Sequence, residues 1–164
     1  MDLDIKQHLP KDFNAASKVW IYQSSRLFLI SEALEIEDIL HQFISKWKSH
    51  GAPVKGFANL FFGQFIILMA DETATGVGGC STDSSVHVIK DIEKKFNVDM
   101  FNRQMLSFIL KDKIEQLPLS QVQYAIDNNF INENTLYFNN SITTKADLEV
   151  NWIAPASTTW LSRM

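Results

Sequence analysis

The 164-residue sequence contains one cysteine, six glycines and four prolines, and no stretch of it is rich in lysine or arginine. A single cysteine cannot form a disulfide within the chain, which favours a reducing compartment. The formal net charge is −4, so the basic surface typical of nucleic-acid-binding proteins is missing. We therefore expect a cytoplasmic protein with no nucleic-acid partner.

Long hydrophobic runs are missing as well. The longest, Phe65–Ala70, is far too short to cross a bilayer, and the first residues lack the basic start and apolar core of a signal peptide. We expect no membrane partner. The composition is that of a folded domain, with 46% hydrophobic, 12% aromatic and 21% charged residues. A chain of this length can bury a real core.

Hydrophobic periodicity predicts an α+β fold. Residues 1–17 are polar and aperiodic, which indicates an N-terminal arm lying on a single domain over 18–164. Residues 18–117 read as strand, helix, strand, strand, helix, strand, the ferredoxin-like βαββαβ order with an antiparallel sheet. Residues 118–164 are predicted to form an extension of short helices and a strand that packs on this core.

Two of the predicted strands carry apolar residues on both faces, as central strands do. They are Lys18–Gln23 and Phe65–Ala70, the first and third strands of the ferredoxin-like order. We predict that they are parallel neighbours in the middle of the sheet, with their C-terminal ends at the same edge. Residues 24–26 would then lie near residues 71–72, and such edges are common ligand sites.

Turn signals predict two hairpins in the same region. Val54–Phe62 reads as an outer strand, and Gly63-Gln64 joins it to the strand that follows. Glycine first in a two-residue loop fits a type II′ turn. Residues 105–117 are predicted to form a second hairpin.

The segment Gly76–Ser85 holds three of the six glycines and the only cysteine, and it runs into a predicted helix. Glycines let backbone N–H groups approach a ligand, and a helix N-terminus favours an anion. The candidate ligand-binding residues of loop 71–85 are Gly78, Gly79, Cys80, Ser81 and Asp83, joined by Arg26 after the first strand. Asp71, Glu72 and His87 belong to the same candidate constellation. A loop that needs glycine for its geometry alone is the simpler alternative.

Cys80 is the candidate nucleophile. The helix is predicted to begin near Thr82 or Asp83, and a helix N-terminus lowers the pKa of a nearby thiol. A catalytic cysteine also needs a base, and His87 lies one to two turns into the helix, too far to reach back. A small cysteine packed under a turn is therefore the favoured interpretation. A thiol-dependent enzyme or redox sensor stays an alternative.

Two fragments imitate nucleotide-binding motifs. No lysine stands between Gly76 and Ser85, although a phosphate loop needs one to neutralise the phosphates. Residues 65–72 look like a Walker B strand with its acidic pair, but no phosphate loop precedes them. These absences argue against ATP hydrolysis. The histidines are scattered, so we expect no metal and no cofactor.

Several segments together resemble a family of short uncharacterised bacterial proteins. The segments are Trp20–Arg26, Trp47–Gly51, Gly79–His87, Phe138–Asn140, Thr143–Lys145, Trp152 and Trp160. The resemblance covers most of the chain from about Trp20 onward. Members sometimes carry the automatic label of an ABC-transporter ATPase, a label that this sequence does not support because the phosphate-loop lysine and the Leu-Ser-Gly-Gly-Gln signature are missing. The resemblance implies one intact domain and no mechanism.

Three functions follow as hypotheses. The first is non-enzymatic binding of a small ligand, an anion or a partner through loop 71–85. The second is thiol chemistry at Cys80. The third is a structural role as a homo-oligomer, since antiparallel sheets can pair through edges or open faces.

Overall fold

The fold is mixed α+β. A computed structural model describes the backbone of residues 1–73 and 79–163, and their side chains except those of residues 79–81 and 163. The α-helices are α1 Ile30–Lys46, α2 Gly79–Phe96, α3 Leu119–Asp127 and α4 Lys145–Asn151. The strands are β1 Lys18–Gln23, β2 Lys48–Ser49, β3 Ala52–Pro53, β4 Lys55–Phe61, β5 Phe65–Asp71, β6 Met105–Leu110, β7 Lys113–Pro118, β8 Leu136–Phe138 and β9 Ile153–Pro155. Short 3₁₀ helices cover Lys6–His8, Ala156–Thr158 and Trp160–Arg163.

The chain separates into two compact units. Unit 1 comprises Met1–Leu9, Asn102–Ile142 and Asp147–Met164, and unit 2 comprises Pro10–Phe101 and Thr143–Ala146. The division of the sequence into an arm over 1–17 and one domain over 18–164 stays a prediction.

Unit 2 is built around a three-stranded sheet with the order β1-β5-β4. All seven residues of β5 are buried, which confirms the prediction that this strand is central. β4 is an outer strand, as its less regular pattern indicates. β1 was expected to be central too, but within the described sheet it pairs with β5 alone.

The prediction that the first and third strands run parallel is wrong, because β1 and β5 are antiparallel. A hairpin joins β4 to β5 and makes these two antiparallel, whereas a helical connection lets β1 and β4 run in the same direction. β5 lies between them and opposes both. This is a split βαβ arrangement. The predicted fourth strand, β6, pairs with β7 and β8 in another sheet, so the ferredoxin-like topology is not confirmed.

Helices α1 and α2 pack together over the apolar side chains of this sheet. Ile36 and Leu40 of α1 are fully buried with Ile89 and Ile92 of α2, in a cluster that includes Leu68 of β5. These positions follow the 3.6-residue spacing from which both helices are predicted. The helices run antiparallel, since Lys95 near the end of α2 forms an ion pair with Glu35 near the start of α1.

The β4–β5 hairpin turns one residue earlier than predicted. Phe62 and Gly63 have φ angles of 55° and 63°, and the N–H of Gln64 donates to the carbonyl of Phe61. Positive φ at two successive residues is the requirement of a type I′ turn, so the predicted type II′ turn at Gly63-Gln64 is wrong. The carbonyl of Gly63 accepts from the N–H of Phe28, which ties the turn to the segment before α1.

Unit 1 contains a four-stranded antiparallel sheet with the order β7-β6-β8-β9. The predicted hairpin over 105–117 is confirmed as β6 and β7, which turn at Lys111 and Asp112. The core of the unit joins Phe108 of β6 and Tyr137 of β8 to Val122 of α3.

Candidate functional site

Arg26 forms a double hydrogen bond with a carboxylate at one end of the unit 2 sheet. Its two terminal nitrogens each donate to an oxygen of Glu32 at 2.8 Å. Nη2 also donates to the carbonyl of Phe96, the last residue of α2, at 2.8 Å. The Arg26 hydrogen bonds, helped by the N–H of Leu29, lower the pKa of Glu32 to about 2. Arg26 therefore joins the start of α1 to the end of α2.

This position is far from loop 71–85, beside which the sequence predicts Arg26. Because β1 and β5 are antiparallel, the end of β1 lies beside Phe65, and Asp71 lies six residues further along β5. That is about 20 Å at the rise of a strand. Gly79 is at the far end of α2 from Phe96, about 26 Å away at the rise of an α-helix. The predicted constellation is thus not brought together around Arg26.

Asp71 lies at the opposite end of the sheet and is almost completely buried, with a side chain 3% exposed. Its carboxylate accepts the N–H of Asn14 at 3.0 Å and both the N–H and the hydroxyl of Thr73, at 2.9 and 2.7 Å. Nζ of Lys55 is 3.7 Å away. The hydrogen bond from Asn14, followed by those from Thr73, lowers the pKa of Asp71 to about 2. The carboxylate stays ionised and fastens two segments to β5.

Glu72 does not take part in these hydrogen bonds. Its side chain is half-exposed and forms a loose ion pair with Lys18 at 3.9 Å. Asp71 and Glu72 therefore have different partners, as expected of neighbouring residues at the end of a strand.

The glycine-rich segment is described only in part. Gly78 lies outside the described residues, as do the side chains of Cys80 and Ser81. Helix α2 begins at Gly79, three or four residues before the predicted start near Thr82 or Asp83. The reactivity of the thiol and an anion site at this helix entry stay predictions.

The first described side chains of α2 differ in their exposure. Asp83 is solvent-exposed, whereas Ser85 is buried and donates its hydroxyl to the carbonyl of Thr82 at 2.6 Å. His87 is exposed one turn beyond Asp83. Among the predicted residues with described side chains, His87 borders a groove between the two helices.

The groove has a volume of about 510 Å³ and lies between the second half of α1 and the middle of α2. Its apolar lining consists of Ile39, Phe43, Trp47 and Val88. Its polar lining consists of Gln42, Lys46, Lys48, Ser84, His87 and Asp91. The groove therefore combines an apolar floor with two ammonium groups, one carboxylate and one imidazole.

Aromatic packing holds the floor of the groove in place. Trp47 is 2% exposed, and its ring lies 5.0 Å from that of Phe43 and 5.9 Å from that of Trp20. Gly56 makes room for it, since a Cβ at this position would come within 2.6 Å of Cε3 of Trp47. Rings fixed in this way form a preformed surface, the usual property of small-molecule sites.

Sequence reasoning missed the groove because its two walls are 40 residues apart in the chain. Each wall does show a local signal. Phe43 and Trp47 are four residues apart with Lys46 between them, and Ser84, His87 and Val88 follow helical spacing on α2. Only the antiparallel pairing of α1 and α2 brings these signals together.

Comparisons with known proteins give no further guide to the site. No family model, no curated protein and no solved structure matches the chain. Among the side chains described, no group of three or more His, Cys, Asp or Glu residues could hold a metal ion. Across the described helices, none has the length and apolar character needed to cross a bilayer.

Proposed function

We propose that the protein is a non-enzymatic binding protein whose groove between α1 and α2 takes a small organic anion with an apolar body. The groove itself carries the proposal: about 510 Å³ of space with an aromatic floor and a rim of net positive charge. Its lining includes Ser84, which belongs to the segment 71–85 for which the sequence predicts binding. We also propose a cytoplasmic location and membership of the uncharacterised bacterial family.

The charges of the rim favour a negatively charged ligand. Lys46 and Lys48 are exposed cations, and Asp91 is the only carboxylate among the described lining residues. With His87 neutral the rim has a formal charge of +1. An anionic group at the rim would gain from the Lys46 ammonium group, while the apolar body covers Phe43 and Val88. Sites of this volume bind small molecules in many proteins.

A titration followed by NMR tests this proposal directly. Benzoate and its neutral analogue benzamide are added separately to the full-length ¹⁵N-labelled protein. We expect benzoate to shift the amide signals of Phe43, Lys46 and Val88 in a saturable way, and benzamide to bind more weakly. Absence of benzoate-dependent shifts in these residues up to the solubility limit would contradict the proposal.

A charge-reversed variant shows whether the rim provides the attraction. Lys46→Glu should weaken benzoate binding roughly fivefold, the scale of an exposed ion pair lost. Lys113→Glu is the matched control, because Lys113 is an exposed lysine of unit 1 that does not line the groove. Equal affinities for the two variants would show that Lys46 does not attract the ligand.

A second candidate function is self-association, and one surface favours it. Four large apolar side chains are exposed at and before the start of α1, namely Leu27, Leu29, Ile30 and Leu34, with exposed fractions between 62% and 82%. Apolar patches of this kind often mark protein contacts. Light scattering after size-exclusion chromatography should show a dimer that Leu34→Glu dissociates. A monomer at high concentration would reject this function.

Thiol chemistry at Cys80 stays an alternative proposal. Its support is the position of Cys80 in the first turn of α2, where the helix N-terminus lowers a thiol pKa. The rate of alkylation measured against pH gives that pKa. A pKa at or above the ordinary value for cysteine would exclude a reactive thiol.

A further inference from the structure

Unit 1 contains a cavity that none of the functions above uses. It has a volume of about 270 Å³. Its lining comes from α3, from the segment before β8 and from the two C-terminal 3₁₀ helices. The apolar lining residues are Val122, Ile126, Ile131, Ala156 and Leu161, and the polar ones are Asn132, Glu133, Ser157 and Ser162.

The cavity has an apolar floor and a polar mouth. Val122 and Ile131 are 0% and 2% exposed, so the floor is part of the core of unit 1. Asn132, Glu133 and Ser157 are solvent-exposed and lie at the mouth. A molecule that fills the space would therefore place an apolar body inside and one polar group at the opening.

The walls are tied together by the backbone. The N–H of Ser157 donates to the carbonyl of Glu133 at 3.1 Å, and the N–H of Ala156 donates to the carbonyl of Thr135 at 2.8 Å. These bonds fix the first C-terminal 3₁₀ helix against the segment before β8. The space is consequently preformed, and filling it costs little ordering of the protein.

Glu133 sets the charge preference at the mouth. Among the described side chains of the lining it is the only charged one, and within the described part of the chain no ion pair joins it to another side chain. We propose that this cavity binds a small apolar amine, whose hydrocarbon part packs on Val122 and Leu161 and whose ammonium group faces the Glu133 carboxylate. Because a cavity of about 150 Å³ can already hold benzene, this larger one has room for a ring with a short chain.

Three probes of similar size test the class of ligand in the full-length protein. They are 3-phenylpropylamine, 3-phenylpropan-1-ol and 3-phenylpropanoate, each followed by NMR titration. We expect the amine to bind most tightly and to shift the amide signals of Val122, Ile131 and Ala156, with the carboxylate weakest. The affected residues belong to unit 1, so this result is independent of the unit 2 groove and of its test.

Variants distinguish the contribution of the cavity volume to binding from that of the Glu133 charge. Ala156→Leu fills the space and should weaken the binding of all three probes at least tenfold. Ser157→Phe covers the mouth from an exposed position and should do the same if Ala156→Leu fails to fold. Glu133→Gln should weaken the amine alone, roughly threefold to fivefold, the scale of an exposed ion pair. Ser120→Phe, on an exposed position of α3 outside the lining, is the matched control and should change nothing.

The proposal is overturned if the amine causes no shifts in unit 1, or if the filled and covered variants bind it as tightly as the native protein. It is also overturned if the alcohol or the carboxylate binds as tightly as the amine, because the Glu133 carboxylate would then select nothing.

Discussion

The two ends of the unit 2 sheet each hold a carboxylate whose pKa is about 2, and they hold it in different ways. Glu32 receives a guanidinium, and the two side chains of that pair are 42% and 17% exposed. Asp71 receives mainly backbone N–H groups and is 3% exposed. In both cases the lowered pKa comes from contacts that fasten segments of the fold. Here a perturbed pKa marks a residue that holds segments of the fold together, although in other proteins such values often mark reactive sites.

Each end also has a glycine, and the two glycines are needed for different reasons. Gly56 provides space, because any Cβ there would meet the ring of Trp47. Gly63 provides a backbone angle, with φ at +63° in the hairpin turn. The Asp71 end therefore depends on tight packing, and the Arg26 end on local conformation and an exposed ion pair. We expect changes at the Asp71 end to cost more stability.

Gly56→Ala should have the largest effect. The new Cβ would lie 2.6 Å from Cε3 of a buried tryptophan, so Trp47 or β4 must move. Overpacking of this kind costs about 1–3 kcal/mol of the free energy of unfolding. Urea denaturation measures this loss. The double variant with Trp47→Leu is the control, since the clash then disappears and the two losses should be less than additive.

Asp71→Asn should rank second. The amide keeps the shape of the side chain but replaces one accepting oxygen by an NH₂ group, which would face the donors of Asn14 or Thr73. We expect the Tm to fall by several degrees and hydrogen exchange near Asn14 to accelerate. An unchanged Tm would mean that the carboxylate does not fasten these segments. Glu72→Gln, the neighbouring exposed carboxylate, is the control and should have almost no effect.

Acid titration tests how the stabilisation by Asp71 depends on pH. The folded-state pKa of Asp71 is lowered from 3.8 to about 2, so its stabilisation is fully present above the unfolded value and is lost as the pH falls towards 2. The native protein should therefore lose stability between about pH 5 and pH 2. In Asp71→Asn this decline should be shallower. Parallel curves for the two proteins would contradict the assignment.

Gly63→Ala should rank third. An L-residue with a side chain is strained at this φ by about 1 kcal/mol, and its Cβ would lie 3.1 Å from an exposed leucine that can move aside. Gly63→Asn is the matched control, because asparagine tolerates positive φ better than alanine. If alanine and asparagine are equally tolerated, the turn does not require the left-handed conformation.

Glu32→Gln should have the smallest effect. The ion pair with Arg26 is partly exposed, and such pairs contribute little once solvent and salt screen them. We expect a slight fall in Tm that shrinks further at high salt, whereas the effect of Asp71→Asn should depend less on salt. A salt-independent loss as large as that of Asp71→Asn would remove the contrast between the two ends.

The sequence predicts the local elements of this protein well and their spatial relations poorly. The central strand β5, the outer strand β4 and the apolar faces of α1 and α2 follow from periodicity. The predicted parallel direction of β1 and β5 is wrong, although the predicted elements imply the opposite: a helical connection makes β1 and β4 parallel, and the hairpin makes β5 antiparallel to both. Arg26 illustrates the cost of that error, because the direction of one strand moves it from the glycine-rich loop to the opposite end of α2. The groove depends on how two helices meet, which no single segment encodes.

The complete burial of β5 has a consequence for the order in which the protein opens. Its amides bond to strands on both sides, and its side chains are almost completely shielded from solvent. No partial opening of one edge can expose them all. The β5 amides should therefore exchange with deuterium only when the unit unfolds globally. Their exchange rates then measure its free energy of unfolding.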